Sequence, residues 1–390
     1  MSKNERQAYL KAIRSRYRRA GKKAKTTILD EFCAVCGYHR KYAIRLLGKD
    51  SRPRKRRRPG CRPIYASQEL LTALKRLWFA CDQMCSKKLK AAIPLWLPFY
   101  ETIYEPLSLQ AWHQLLVVSA PTIDRLLKPV RLKRGRKGLA GTKPGSLLKN
   151  QIPIRTHFWD ISQPGFMEAD TVAHCGNSLA GDFVWSLTMT DIHTTWTELR
   201  ATWNKGSAGV LAQIRDIEIN LPFALQGFDC DNGSEFLNHH LIRYFTDRPR
   251  AIGFTRSRPY KKNDNAHVEQ KNWSHVRQLF GYDRFDDHAL VSLMNDLYAN
   301  EWSLYQNHFC PSMKLTDKQR INSKYRKKYD QPQTPYQRVM ASEQVTDSTK
   351  TRLEVLHHSL NPFILKQSIE KKLRTIFKQV RVTPNVRQRL

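Results

Sequence analysis

The sequence predicts an α/β core, a mixed sheet flanked by helices, with helical helix-turn-helix domains before it and a helical extension after it. Three observations carry this. Between residues 152 and 310 the chain reads as three neighbouring strand-like runs, then helix, strand, helix, strand, helix. On both sides of that region apolar residues recur at helical spacing. The 390 residues include 67 Lys and Arg against 34 Asp and Glu, a net charge of +33. A surplus of that size favours a polyanionic partner bound in a salt-sensitive way.

Residues 1–50 form the first predicted domain. A basic amphipathic helix covers 5–19, and two helical runs between 25 and 47 are broken at Gly37-Tyr38. Ile28, Leu29, Phe32 and Val35 would face Tyr42, Ala43, Leu46 and Leu47, leaving Arg40, Lys41 and Arg45 outward for DNA, as in a helix-turn-helix. Residues 51–66 are a Pro-bounded basic linker whose Arg54, Lys55, Arg56, Arg57 and Arg58 suit phosphates or a minor groove; a solvated tail is the plainer alternative. A second helical DNA-binding domain is expected over 67–130. It ends with Ser119 as a cap before Pro121, then a short amphipathic helix presenting Arg125. Residues 131–151 are a Gly- and Lys-rich basic linker.

The eight cysteines do not make a disulfide scaffold. Cys33, Cys36 and His39 have the look of half a zinc site, but no partner pair follows and Cys61 is isolated, so both helical cysteines read as core filler. The best apolar stretch, 91–98, is short and interrupted by two prolines, and the N-terminus leads into no secretory apolar region. A cytoplasmic, DNA-associated protein without a membrane partner is therefore expected.

Within 152–310, strands are expected at 166–172, 183–192, 196–203, 223–228 and 251–255, with helices at 207–219, near 235–245 and from 263. A packing helix follows at 287–305. The C-terminal region, 311–390, begins with a basic, irregular connection at 314–335. It continues into helices marked by Leu353, Leu356 and Leu360, an Asn361-Pro362 restart, and Leu365, Ile369, Leu373 and Ile376 on one face.

Three acids stand in settings that suit metal ligation. Asp170 lies in the strand-like run, Asp231 opens the Asp231-Asn232-Gly233 turn after an apolar run, and Glu269 falls in a helical stripe of Ala266, Trp273, Val276 and Phe280. An unpaired carboxylate among apolar residues costs several kcal/mol or stays protonated, so such a position calls for a charge partner, a metal or a cleft rim. Two divalent ions, Mg²⁺ or Mn²⁺, prefer oxygen ligands and suit phosphodiester chemistry, in which charge develops on attacking and leaving oxygens. Glu168 shares the strand face of Asp170, Asp229 precedes Asp231 by two, and Asp191 reads as a structural strand-end acid. His174 and His267 are candidates for supporting or DNA-contacting roles.

Residues 152–310 resemble the catalytic core shared by DDE transposases and retroviral integrases, a ribonuclease H-like fold, and above all bacterial insertion-sequence transposases with an integrase-type core. The likeness rests on Glu168-Ala169-Asp170-Thr171, on Asp231-Asn232-Gly233-Ser234-Glu235-Phe236, and on Asn263-Asp264-Asn265-Ala266-His267-Val268-Glu269-Gln270-Lys271-Asn272. It implies Asp170, Asp231 and Glu269 as ligands of two Mg²⁺ (or Mn²⁺) ions. It also implies nicking of element ends, attack of the freed 3′-hydroxyl on target DNA, and a homo-oligomer on paired double-stranded ends. His267 and the basic run from Arg256 to Lys262 depart from the more neutral, Gly-containing loop of retroviral members. Lys261, Lys262, Lys271 and Arg277 are expected to contact DNA there, an ordinary solvated face being the alternative. The competing functions are a noncatalytic DNA-binding regulator and a ribonuclease H-like nuclease or resolvase without strand transfer.

Overall fold

A capping box starts the chain: the Ser2 hydroxyl accepts from the Glu5 amide, and the Glu5 carboxylate accepts from the Ser2 amide at 2.6 Å. The computed structural model describes residues 2–48, 64–131, 162–231, 233, 235–257, 266–321 and 324–382. They belong to two units, Met1–Ile64 and Tyr65–Leu390.

The first unit holds α1 (Lys3–Arg19), α2 (Lys22–Cys36) and α3 (Arg40–Gly48). Gly37 ends α2 in the left-handed region, φ +67°, where a side chain would be strained. Leu29, Phe32 and Cys36 pack against Ala43 and Leu47, with Tyr9, Leu10, Ile13 and Tyr17 of α1 closing the core. Cys36 is thus interior filler, as its helical setting predicts. Val35 and Tyr42, expected inside, are instead 48% and 41% exposed. At about 100° per residue they fall at or beyond the margin of the buried stripe that Phe32, Cys36, Ala43 and Leu47 define. Arg54, Lys55, Arg56, Arg57 and Arg58 lie outside the described residues.

In the second unit α4 (Gln68–Ala80), α5 (Ser86–Trp96), a 3₁₀ turn (Leu97–Thr102), α6 (Leu109–Val117) and α7 (Ala120–Arg131) precede the sheet. Ser108 caps α6, accepting from the Ala111 amide at 3.2 Å. The predicted domain 67–130 does not stand apart in the structure. Trp96 donates its indole N–H to the Phe309 carbonyl at 3.0 Å and meets the rings of Tyr305 and Phe363 edge-on, while the Tyr305 hydroxyl donates to the Ala80 carbonyl. These large rings have more to gain by sharing one interior with the later helices than a block of four short helices can offer alone.

The sheet comprises β1 (Phe166–Ala173), β2 (Val184–Asp191), β3 (Thr197–Trp203), β4 (Gly227–Cys230) and β5 (Gly253–Arg256), in the order β3-β2-β1-β4-β5. β1–β2 and β2–β3 are antiparallel, β1–β4 and β4–β5 parallel. A mixed five-stranded sheet between helices fits a ribonuclease H-like core. Met167, Ala169, Leu187, Met189, Phe228 and Cys230 face one interior with α8 (Ser207–Asn220) and α9 (His239–Thr246). Val172, Val184, Leu199 and Ala201 face the other interior, with the helices that follow the sheet. The fourth strand lies later than the apolar run at 223–228 indicates, because it includes Asp229, buried and bonded by the Thr255 hydroxyl.

Helix α10 (Ala266–Lys271) runs through a π-helical stretch (Asn272–Arg277) into α11 (Gln278–Phe280). The π turn changes the phase of the helix. Val268, Lys271, His275, Val276 and Phe280 are buried, whereas Glu269 and Trp273 are exposed, so the predicted stripe uniting Glu269, Trp273, Val276 and Phe280 is split. Then come α12 (Ala289–Asp296), a second π stretch (Leu297–Trp302) and α13 (Ser303–Phe309). The expected irregular connection at 314–335 is instead a β-hairpin, β6 (Leu315–Ile321) with β7 (Lys324–Tyr329). Its strands alternate mainly polar and basic residues, so no apolar period announces them. Helices α14 (Pro335–Ala341), α15 (Asp347–Ser359) and α16 (Pro362–Val382) close the fold. Among the described residues no helix is long and apolar enough to cross a membrane.

Candidate active site

Parallel pairing of β1 with β4 aligns Ala169 with Cys230, the last paired positions of that ladder. One residue further along each strand stand Asp170 and Asp231. Side chains alternate faces along a strand, so both acids emerge on the face opposite Met167, Ala169, Phe228 and Cys230. That is the face α10 crosses, since the Val268 amide donates to the Glu168 carboxylate at 3.3 Å.

Asp170 accepts from its neighbour's amide, Thr171 N, at 2.7 Å and from Asn272 Nδ2 at 2.7 Å. Its carboxyl is pushed up to about 8, first by burial, then by the charge of Asp231, with Glu235 and Glu269 adding to the effect. Asp231 accepts from the Gly233 amide at 2.8 Å, an Asx turn that fixes its carboxylate. Burial, then the charge of Glu235, raise it; the Gly233 amide and Lys205 pull the other way.

Glu235, to which sequence reasoning assigns no role, completes the cluster. Its side chain is fully buried; Oε1 accepts from the Thr171 hydroxyl at 2.8 Å and pairs with Lys205 Nζ at 2.7 Å, while Oε2 has no hydrogen-bond partner. A Cβ on Gly233 would collide with this carboxylate, which is why the turn carries glycine. The position of Glu235 four residues after Asp231 is a signal the sequence holds; nothing local marks Lys205, and Asn272 is set by the π stretch.

The structure therefore brings Asp170, Asp231 and Glu235 together. Glu269 projects from α10 exposed, within electrostatic reach of Asp170. Among the described residues no three His, Cys, Asp or Glu side chains are gathered into a ready-made metal site. The donor chemistry nevertheless fits a hard divalent cation: two carboxyls held up first by burial and then by neighbouring acids, and a buried carboxylate oxygen without a partner, are all oxygen donors short of positive charge.

The neighbouring acids have structural occupations. Glu168 is buried against α10, and Asp191 accepts from Gly165 N, Thr194 N and the Thr194 hydroxyl at 2.6–2.8 Å. His174 is corrected to a core residue: its ring stacks on Phe285, and its Nε2 shares a 2.7 Å hydrogen bond with the Ser186 hydroxyl. The side chain of His267 lies outside the described residues.

Two expected DNA contacts are also corrected. Lys271 is buried, with Nζ donating to the Thr195 carbonyl at 3.4 Å, and burial pushes its ammonium down to about 7. Arg277 donates to the Ala173 carbonyl at 3.0 Å and lies over the Tyr282 ring, so it ties the helix to β1. Arg277, at the end of the π stretch, follows from the phase change in the helix; Lys271 precedes that stretch and shares the buried face of Val268, three residues earlier. Lys261 and Lys262 lie outside the described residues. Arg40, Lys41 and Arg45 are exposed on α3, Arg40 paired with Asp30 and Arg45 over the Tyr42 ring. Arg125 is exposed on α7, donating to the Thr122 hydroxyl at 2.9 Å.

No family model matches the chain. A protein of Sinorhizobium fredii (strain NBRC 101917 / NGR234), the uncharacterized protein y4rM, is 41% identical over 336 residues, 84% of this chain and 93% of that one. A chain of the simian T-cell lymphotropic virus intasome in complex with PP2A regulatory subunit B56 gamma aligns at 14% identity and a TM-score of 0.28. That alignment covers 50% of this chain and 63% of the other, less than two thirds of its length. The catalytic core domain of BIV integrase aligns at 14% identity and a TM-score of 0.27, covering 44% of this chain and 91% of that one.

Proposed function

We propose that this chain, which belongs to the same family as the uncharacterized protein y4rM of Sinorhizobium fredii, is a DNA transposase of the DDE type. It binds the ends of its element, nicks them and joins the freed 3′-hydroxyls to target DNA. The observation that carries this reading is the placement of Asp170 and Asp231 on adjacent parallel strands, one step beyond the last paired residues, with Glu269 on the helix that crosses them.

Asp170, Asp231 and Glu269 would hold Mg²⁺ or Mn²⁺. Two such ions, when bound, activate the attacking oxygen and neutralise charge on the leaving one. Asn272 and the Thr171 amide orient Asp170, the Gly233 amide orients Asp231, and Lys205 balances the charge of Glu235 behind them. In the first step water attacks the phosphodiester and the 3′-oxygen leaves as a hydroxyl. In the second that hydroxyl attacks a target phosphate and displaces the target's 3′-oxygen. The exposed Arg40, Lys41, Arg45 and Arg125 supply backbone contacts that hold the duplex, and pairing of two ends requires more than one copy of the chain.

The test uses labelled duplexes made from the DNA flanking the coding region. Nicking and joining are expected with Mg²⁺ and not with EDTA, and Asp231→Asn should remove both. Joining retained by Asp231→Asn overturns the assignment; nicking without joining by the intact protein replaces it with a nuclease.

A further inference from the structure

We infer that the β6–β7 hairpin is a further contact surface for double-stranded DNA. Choosing DNA as the polyanion rests on the function proposed above; the rest comes from the hairpin itself.

Between Leu315 and Tyr329 the chain carries Lys318, Arg320, Lys324, Arg326, Lys327 and Lys328 against one acid, Asp317. The two strands form a sheet of their own. Their backbone register sets position 318 opposite Lys327 and Gln319 opposite Arg326. A lone two-stranded hairpin is at best marginally stable in water, so concentrating cations on it has no rationale in the fold.

The root, in contrast, is firmly tied. Asp330 accepts from the Lys314 amide and from Arg338, both at 2.6 Å, Ser312 and Gln333 bond backbone to backbone, and Lys314 Nζ donates to the His193 carbonyl at 2.7 Å. Beyond it Gln319, Arg320, Ile321, Arg326, Lys327, Lys328 and Tyr329 are exposed. A rigidly mounted, cationic, two-stranded ribbon matches the width of the DNA major groove, roughly 12 Å, and the line of phosphates beside it.

Fluorescence anisotropy with a labelled duplex between about 50 and 200 mM salt tests this, comparing the intact chain with the triple variant Arg326→Gln, Lys327→Gln, Lys328→Gln. Each phosphate contact contributes about 0.9 to the slope of log affinity against log salt, so the variant's slope should be shallower by about 2 to 3. A charge-keeping variant, Lys327→Arg with Lys328→Arg, should retain the slope. An unchanged slope in the triple variant, equal loss in both variants, or tighter binding of RNA than of duplex DNA would each overturn the inference. A chain that neither nicks nor joins DNA, yet loses slope in the triple variant, sinks the transposase reading and leaves the hairpin standing.

Discussion

Lowering the pH should unfold this protein partly through His174. The ring is fully buried between Phe280 and Phe285, its Nδ1 has no hydrogen-bond partner, and burial, aided by the charge of Arg277, holds it down to about 3. In the unfolded chain it titrates near its ordinary value of 6.5. Because the folded value is the lower one, the stabilisation is fully present above pH 6.5 and is lost as pH falls toward 3. At about 1.4 kcal/mol per pH unit the loss reaches about 3 kcal/mol by pH 4. His174→Phe keeps the stacking and leaves the Ser186 hydroxyl its 2.7 Å partner, the Tyr298 hydroxyl. It should cost about 1 kcal/mol at pH 7 for the lost hydrogen bond. At pH 4 it should be more stable than the parent by about 2 kcal/mol. Urea unfolding followed by tryptophan fluorescence measures this, since all nine tryptophans lie in Tyr65–Leu390. Parent and variant losing stability in parallel between pH 7 and 4 would refute the reasoning and restore His174 to the candidates for a functional role.

Two further outcomes follow from the site and from the first unit. Glu235→Gln retains an acceptor for the Thr171 hydroxyl but removes a negative charge beside Asp231; the Mg²⁺ concentration for half-maximal nicking should rise roughly tenfold, and an unchanged titration would remove Glu235 from the cluster's chemistry. Neutralising Lys41 and Arg45 on α3 together should flatten the salt dependence of DNA binding by about 2, whereas Lys271→Met, altering a buried side chain, should leave it unchanged in the same anisotropy titration.

The sheet was legible because its strands carry apolar side chains on alternating faces: β1, β2 and β3 fall within a residue or two of their predicted limits. Where a polar residue was buried in place of an apolar one, that signal failed, as at Asp229 in β4 and Lys271 in the site helix. Asp170 and Asp231 could be chosen from their local settings, but their adjacency depends on parallel pairing between strands distant in sequence. Glu269 could be chosen too, though for a faulty reason. Its apolar stripe assumes a constant 3.6-residue turn, and the π stretch after Lys271 breaks that assumption. Lys205 is hidden because an ion pair across 30 residues leaves no periodic trace. Charge and glycine content mark a boundary at 130, but they say nothing of where Trp96 finds its neighbours.

Those neighbours set a practical limit on how the molecule can be divided. Trimming to 152–310 would take Trp96 and Phe363 away from Tyr305 and Phe309, handing water an aromatic surface that invites precipitation. Bench work on the chemistry is better served by the unbroken span from Tyr65 onward, in which Trp96 keeps Tyr305, Phe309 and Phe363.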